Sequence, residues 1–133
     1  MDQNEALLNV SNDATLGKVE IAPEVIEIIT GIAASEVEGI SSMRGNFATG
    51  VAERFGKKTH SKGVKVELTD NGVMIDLYVT IKFGIPIRQT AETLQKNVKQ
   101  ALKNMTALET KVINVHVLAI EVETEQMNDP ETT

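Results

Sequence analysis

The feature of this sequence that most constrains its fold is the alternation of apolar and polar residues on both sides of Asp70-Asn71-Gly72. Asn-Gly is favoured in two-residue hairpin turns because both residues tolerate positive φ. The pattern predicts a β-hairpin with one covered face and one wetted face. The apolar positions are Val64, Val66 and Leu68 before the turn, and Val73, Ile75, Leu77, Val79, Ile81 and Phe83 after it.

Two prolines mark the starts of two predicted helices, since proline is favoured at a first helical position. An apolar face follows Pro23, and an apolar stripe about 100° wide follows Pro86 for about 20 residues. Two amphipathic helices can cover only one face of a sheet. The sequence therefore predicts an α+β fold, a two-layer sandwich with a mixed, largely antiparallel sheet and two main helices on one face. The apolar positions are Val25, Ile28, Ile29, Ile32 and Ala33 in the first helix, and Ile87, Ala91, Leu94, Val98, Ala101, Leu102 and Met105 in the second.

Shorter segments complete the predicted order of elements. Residues 16–22 and 40–43 read as short strands, and four-residue apolar spacing over 47–55 favours a short helix. A last strand is predicted over 112–123. Its apolar parity switches along its length, which indicates a β-bulge near residue 118.

Both ends of the 133-residue chain are polar and aperiodic. We expect disordered tails at 1–15 and 124–133 around a single α+β domain over 16–123. The absence of cysteine excludes disulfides, thiolate catalysis and sulfur-based zinc sites. The acidic start and the lack of a run of about 20 apolar residues favour a cytoplasmic protein that reaches a membrane only through a partner.

Residues that could carry catalysis are few in this sequence. His60 lies in a basic stretch, and His116 lies between two valines of the last strand, so it should project from the polar face of the sheet. Neither histidine has a partner at metal-ligand spacing, and we interpret both as solvated or structural. Glu36 falls on the apolar side of the first helix, and we expect it to reach solvent at the helix end. We therefore predict no catalytic residue, no cofactor and no metal site.

The segment 56–59, Gly-Lys-Lys-Thr, is similar to the end of a phosphate-binding loop. That motif needs four residues between its glycines and a hydroxyl directly after the lysine. Here five residues separate Gly50 from Gly56, and Lys58 interrupts the end. The pattern does not favour nucleotide binding.

Charge separation is the stronger signal for function. Residues 44–65 carry six basic side chains against one acidic one, a net charge of +5, whereas the rest of the chain carries −11. Such a segment can steer an acidic partner, and the alternative is a merely solvated loop. The predicted partner-binding residues are Arg44, Arg54, Lys57, Lys58, Lys62 and Lys65.

Strand length predicts self-association. Two predicted strands run for about 12 residues, twice the usual length, so their ends extend beyond the helix that covers them. Overhanging strands need another protomer or a partner to shield them. We therefore expect a homo-oligomer.

Five segments follow a recognisable pattern, in this order: Gly17-Lys18-Val19-Glu20-Ile21-Ala22-Pro23-Glu24-Val25-Ile26, Gly31-Ile32-Ala33-Ala34-Ser35-Glu36-Val37-Glu38-Gly39-Ile40, Gly63-Val64-Lys65-Val66, Asp76-Leu77-Tyr78-Val79 and Val112-Ile113-Asn114-Val115-His116-Val117. Together they resemble the alkaline shock protein family, the small envelope stress response proteins of Gram-positive bacteria. The resemblance covers the domain from residue 16 to 122. Residues 43–50 and 56–59 resemble a subgroup associated with acetyl-CoA carboxylase and fatty-acid synthesis.

The resemblance implies an oligomeric cytoplasmic protein that carries out no reaction and is held near the membrane by a separate anchor protein. The leading interpretation is a non-catalytic scaffold or regulatory protein whose partner is a membrane anchor protein or an acetyl-CoA carboxylase subunit. One alternative is a modulator of that carboxylase. Another is a small nucleic-acid-binding protein that uses the basic 44–65 segment, although the acidic total and only four aromatic residues disfavour it.

Overall fold

The computed structural model describes residues 7–11, 13–43, 63–69 and 72–122. The predicted helix over 47–55 lies outside these residues. In chain order the elements are β1 Leu8–Asn9, a 3-10 turn Ala14–Leu16, β2 Glu20–Ile21, α1 Pro23–Ser35, β3 Ile40–Met43, β4 Val64–Thr69, β5 Gly72–Lys82, α2 Ile87–Thr106 and β6 Thr110–Glu121.

The sheet is organised around β5, which has neighbours on both edges. Along one edge β3 and β4 lie end to end, and both run antiparallel to β5. Along the other edge β6 runs parallel to β5, as a strand–helix–strand crossover through α2 requires. The prediction of a mixed, largely antiparallel sheet is confirmed.

Alternation along β5 sorts its side chains as the sequence predicted from Val73 to Ile81. Val73, Ile75, Leu77, Val79 and Ile81 are buried on one face, and the residues between them are half-buried on the other. Phe83, predicted on the apolar face, lies beyond the end of β5 and is exposed. The hairpin register pairs Val66 with Ile75 and Thr69 with Gly72. We call the helix-covered side of the sheet the inner face and the other side the open face.

The inner face packs against both helices in one core. Leu94, Val98 and Leu102 of α2 are fully buried, which confirms the centre of the predicted stripe. At the two ends of the stripe the prediction is wrong. Ile87 and Met105 are exposed, because α2 extends beyond the area that α1 and the sheet can cover.

The buried face of α1 agrees with the predicted one only in part. Ile29 and Ala33 are buried as predicted, together with Ile26 and Ala34, whereas Val25 and Ile32 are about two-fifths exposed. Apolar residues surround most of this helix, so a helical period fits more than one face, and packing against α2 and the sheet decides between them.

The bulge predicted near residue 118 is confirmed. Val79 pairs with Val117 and Thr80 with Ala119, so Leu118 has no partner on β5. At the other end of the domain, the predicted 16–22 strand is reduced to β2. It pairs with β1, and Leu8 and Ile21 pack against the core.

Candidate interaction surface

A polar cluster lies at the centre of the open face, where β5 and β6 run side by side. Asp76 and Tyr78 come from β5, and Asn114 and His116 from β6. The parallel register sets Asp76 opposite Asn114 and Tyr78 opposite His116. The cluster therefore depends on a pairing between strands that α2 separates in sequence.

The side chains of this cluster are joined by direct contacts. The Nε2 atom of His116 lies 3.0 Å from Oδ1 of Asp76, and the Asn114 amide donates to the same oxygen at 3.0 Å. The His116 ring stacks on Tyr78 with centroids 4.7 Å apart and planes 16° from parallel. These contacts hold the imidazole in one orientation on a surface that solvent reaches.

The electrostatics of the cluster favour the ionised form of Asp76. The hydrogen bond from His116, and then that from Asn114, lower the pKa of Asp76 below its ordinary value of 3.8, while partial burial acts in the opposite direction. The positive charge of Lys65, directly opposite on β4, acts in the same direction. Asp76 is therefore a fixed negative charge at neutral pH.

Because the pKa of Asp76 is lower when the protein is folded, the cluster should stabilise the fold above about pH 4, and this stability should be lost as the pH falls through the folded value. We expect Asp76→Asn to lower the free energy of unfolding by up to about 1 kcal/mol at pH 7, and by much less at pH 3. Urea unfolding at the two pH values measures the difference. Glu67→Gln is the matched control, because Glu67 is exposed on the neighbouring strand and contacts no described residue through a hydrogen bond or ion pair. If Asp76→Asn lowered the free energy of unfolding equally at both pH values, the lowered pKa of Asp76 in the folded protein would be contradicted.

Of the six predicted partner-binding residues, the structure describes Lys65. It is exposed on β4 and lies opposite Asp76, at the edge of the polar cluster. The others, Arg44, Arg54, Lys57, Lys58 and Lys62, lie outside the described residues, as does His60.

The points where the basic segment leaves and rejoins the sheet are both described. Met43 pairs with Val79, and Val64 pairs with Leu77. Between them the Tyr78 amide donates to the Gly63 carbonyl at 2.8 Å. Three consecutive residues of β5 thus hold both ends of segment 44–62, and the middle one, Tyr78, carries the ring that stacks on His116.

Glu36 and His116, the other candidate residues that the structure describes, are both accessible to solvent. Glu36 is exposed at the C-cap of α1, as expected. His116 does project from the open face, but its partner Asp76 is 40 residues away, so local spacing could not reveal it. Within the described residues, no three histidine, aspartate or glutamate side chains are arranged to hold a metal ion, and no helix has the length and apolar character of a membrane span.

The fold and this surface define a class: a two-layer α+β domain whose helices cover one sheet face and leave a polar face open. Residues 11–122 match the model of the alkaline shock protein 23 family, described as having a cell envelope-related function, and the chain belongs to that family. It is 55% identical to YqhY of Bacillus subtilis (strain 168) over 124 residues, covering 93% of this chain and 92% of the relative. It is 26% identical to a stress response regulator gls24 homolog of Streptococcus pyogenes serotype M3 over 127 residues, covering 92% of this chain and 70% of the relative.

Proposed function

We propose that this protein is a non-catalytic scaffold or regulatory protein of the envelope stress response, acting by self-association and by binding a protein partner through residues 44–65. The family description as cell envelope-related supports the setting. Similarity to a stress response regulator supports a regulatory role rather than a metabolic one.

The observation that carries the partner-binding proposal is the anchoring of the basic segment at Tyr78. Segment 44–62, with net charge +4, leaves and rejoins the sheet at the middle of one strand, beside a polar cluster with a fixed carboxylate. A basic segment whose two ends join an ordered polar and aromatic surface suits recognition of an acidic protein surface: charge steers the approach, and the ordered face supplies contacts.

The position of the cluster supports a binding role over a catalytic one. The Asp76 carboxylate accepts two hydrogen bonds, and Tyr78 covers one face of the His116 ring. The cluster lies on an open strand face, where the His116 side chain is 42% exposed. Catalytic groups usually lie in a concave site that excludes water.

We expect neutralisation of the basic segment (Arg54→Gln, Lys57→Gln, Lys58→Gln and Lys62→Gln together) to abolish capture of the partner and to leave the melting temperature close to that of the wild type. The reason is that these side chains supply most of the local positive charge. Affinity purification from the native cell measures capture, and it distinguishes a membrane anchor protein from acetyl-CoA carboxylase subunits as the captured species.

A matched control carries the same change in net charge elsewhere on the chain, at Lys18, Lys82, Arg88 and Lys103, all of them exposed. This control should retain the partner. Capture by the segment variant equal to that of the wild type would remove the basic segment from the proposal. Retention of RNA or DNA at low salt that weakens steeply with added salt would instead favour the nucleic-acid alternative.

A further inference from the structure

The outer edge of β6 is free of strand partners among the described residues. β6 pairs with β5 along one edge only, over 12 residues. Near the start of the strand, side chains of α2 reach two of its carbonyls: Gln95 donates to Ile113 at 2.8 Å and Lys99 to Thr110 at 3.4 Å. The rest of the edge offers backbone donors and acceptors to another strand.

The same strand exposes more apolar surface than a finished sheet edge usually does. Val112, Leu118 and Ile120 are each between a third and a little over half exposed, and Val122 just beyond the strand is 53% exposed. Protected edges typically carry charges, are very short or are interrupted by bulges. This edge has a bulge at Leu118, but between Val112 and Ile120 it carries only neutral side chains and His116.

The full charges of β6 lie at its two ends and are opposite in sign. Lys111 is near the start and Glu121 is the last residue, where its carboxylate accepts a hydrogen bond from Ser41. The positive end is reinforced by α2: Lys96, Lys99 and Lys111 line an open groove together with Gln95, Thr110 and Ile113.

The lysines of this groove have no carboxylate partner among the described residues. Lys99 reaches the Thr110 carbonyl at 3.4 Å, and the described ion pairs involve other residues. Glu109 precedes the strand, but three positive charges outweigh it locally. The start of β6 is therefore an electropositive site that an acidic segment can occupy.

We propose that two copies of this chain pair through the outer edges of β6, in antiparallel orientation about a two-fold axis near His116. Residue 116 is midway between Lys111 and Glu121, so this pairing brings Lys111 of each copy close to Glu121 of the other, within the one-residue shift that the bulge at Leu118 allows. The exposed apolar side chains of the two strands then face one another. A two-fold interface is self-complementary, as this charge arrangement requires.

This inference rests on the self-association in the proposed function and names the interface that forms it. We expect K111E or E121K alone to raise the dimer dissociation constant about tenfold or more, because each places two pairs of like charges in the interface. A mixture of the two variants, and the double variant K111E/E121K, should return it close to the wild-type value. Sedimentation velocity across a concentration series measures all four samples.

The control is K103E, which changes the charge equally at an exposed position of α2 outside the groove. It should dimerise as the wild type does, and thermal unfolding checks that every variant is folded. If the wild type associates but the single variants associate equally well, the β6 interface is wrong while self-association stands. Weakened single variants that neither mixing nor the double change restores would overturn the antiparallel pairing. A wild type that stays monomeric at every concentration would overturn both.

Discussion

Leu77→Ala is expected to lower the free energy of unfolding by about 3 to 4 kcal/mol. Leu77 is 0% exposed at the middle of β5, which has strands on both edges and helices over its inner face. Its neighbours belong to paired strands that cannot close on the space a leucine leaves. A cavity there therefore adds to the lost transfer free energy of the removed side chain.

The matched control is Leu16→Ala, the same chemical change at a position that is 85% exposed. It should change the free energy of unfolding by less than about 0.5 kcal/mol. Urea unfolding followed by circular dichroism measures both variants. Similar losses for the two would show that burial on the inner face of β5 does not dominate the stability of this fold.

Much of the fold could be predicted because local pattern and global packing agree. Strict alternation identified the inner face of β5, and a parity change identified the bulge at Leu118. The face of α1 could be predicted only in part, since apolar residues surround that helix and contacts with α2 and the sheet select among them. Ile87 and Met105 fit the stripe of α2 by period, yet they lie beyond what the rest of the molecule covers.

The candidate surface was less accessible to sequence reasoning. Charge counting identified the basic segment, and alternation placed His116 on the open face. The contact between His116 and Asp76 required the register of β5 with β6, which depends on the length of the crossover through α2 and on bulges in β6. No local spacing encodes that register. A long-range pair on an open face is therefore the kind of feature that single-sequence reasoning misses.

The two proposed surfaces use opposite edges of the sheet. The basic segment is anchored between β3 and β4 on one edge of β5, and the lysine groove and free edge belong to β6 on the other. A dimer formed through β6 would leave free, in both copies, the sheet edge that holds the two ends of the basic segment. Partner binding would then gain from two linked sites, since the second contact forms at high effective concentration. We therefore expect variants at each edge to disrupt assembly and capture separately.

Gly39→Ala is expected to lower the free energy of unfolding by about 3 kcal/mol or more, through backbone strain and a steric clash together. Gly39 has φ +101°, and a Cβ there would lie 2.7 Å from the Ile85 Cγ2 methyl and 3.3 Å from that of Thr90. Its carbonyl accepts from the Lys82 amide at 2.9 Å, which ties this turn to the end of β5. The backbone therefore cannot move away without breaking the contact that sets the start of β3.

Gly84→Ala separates the two contributions. Gly84 has a similar φ of +96°, but a Cβ there would have nothing within 4 Å. This variant should therefore lose about 1 to 2 kcal/mol from backbone strain alone. Thermal or urea unfolding of both variants gives the difference in the free energy of unfolding, which reports the clash with Ile85.

Adding Ile85→Ala to Gly39→Ala should make the losses less than additive, because the second change removes the methyl that the new Cβ meets. Fully additive losses would mean that strain at Gly39, not contact with Ile85, determines the cost.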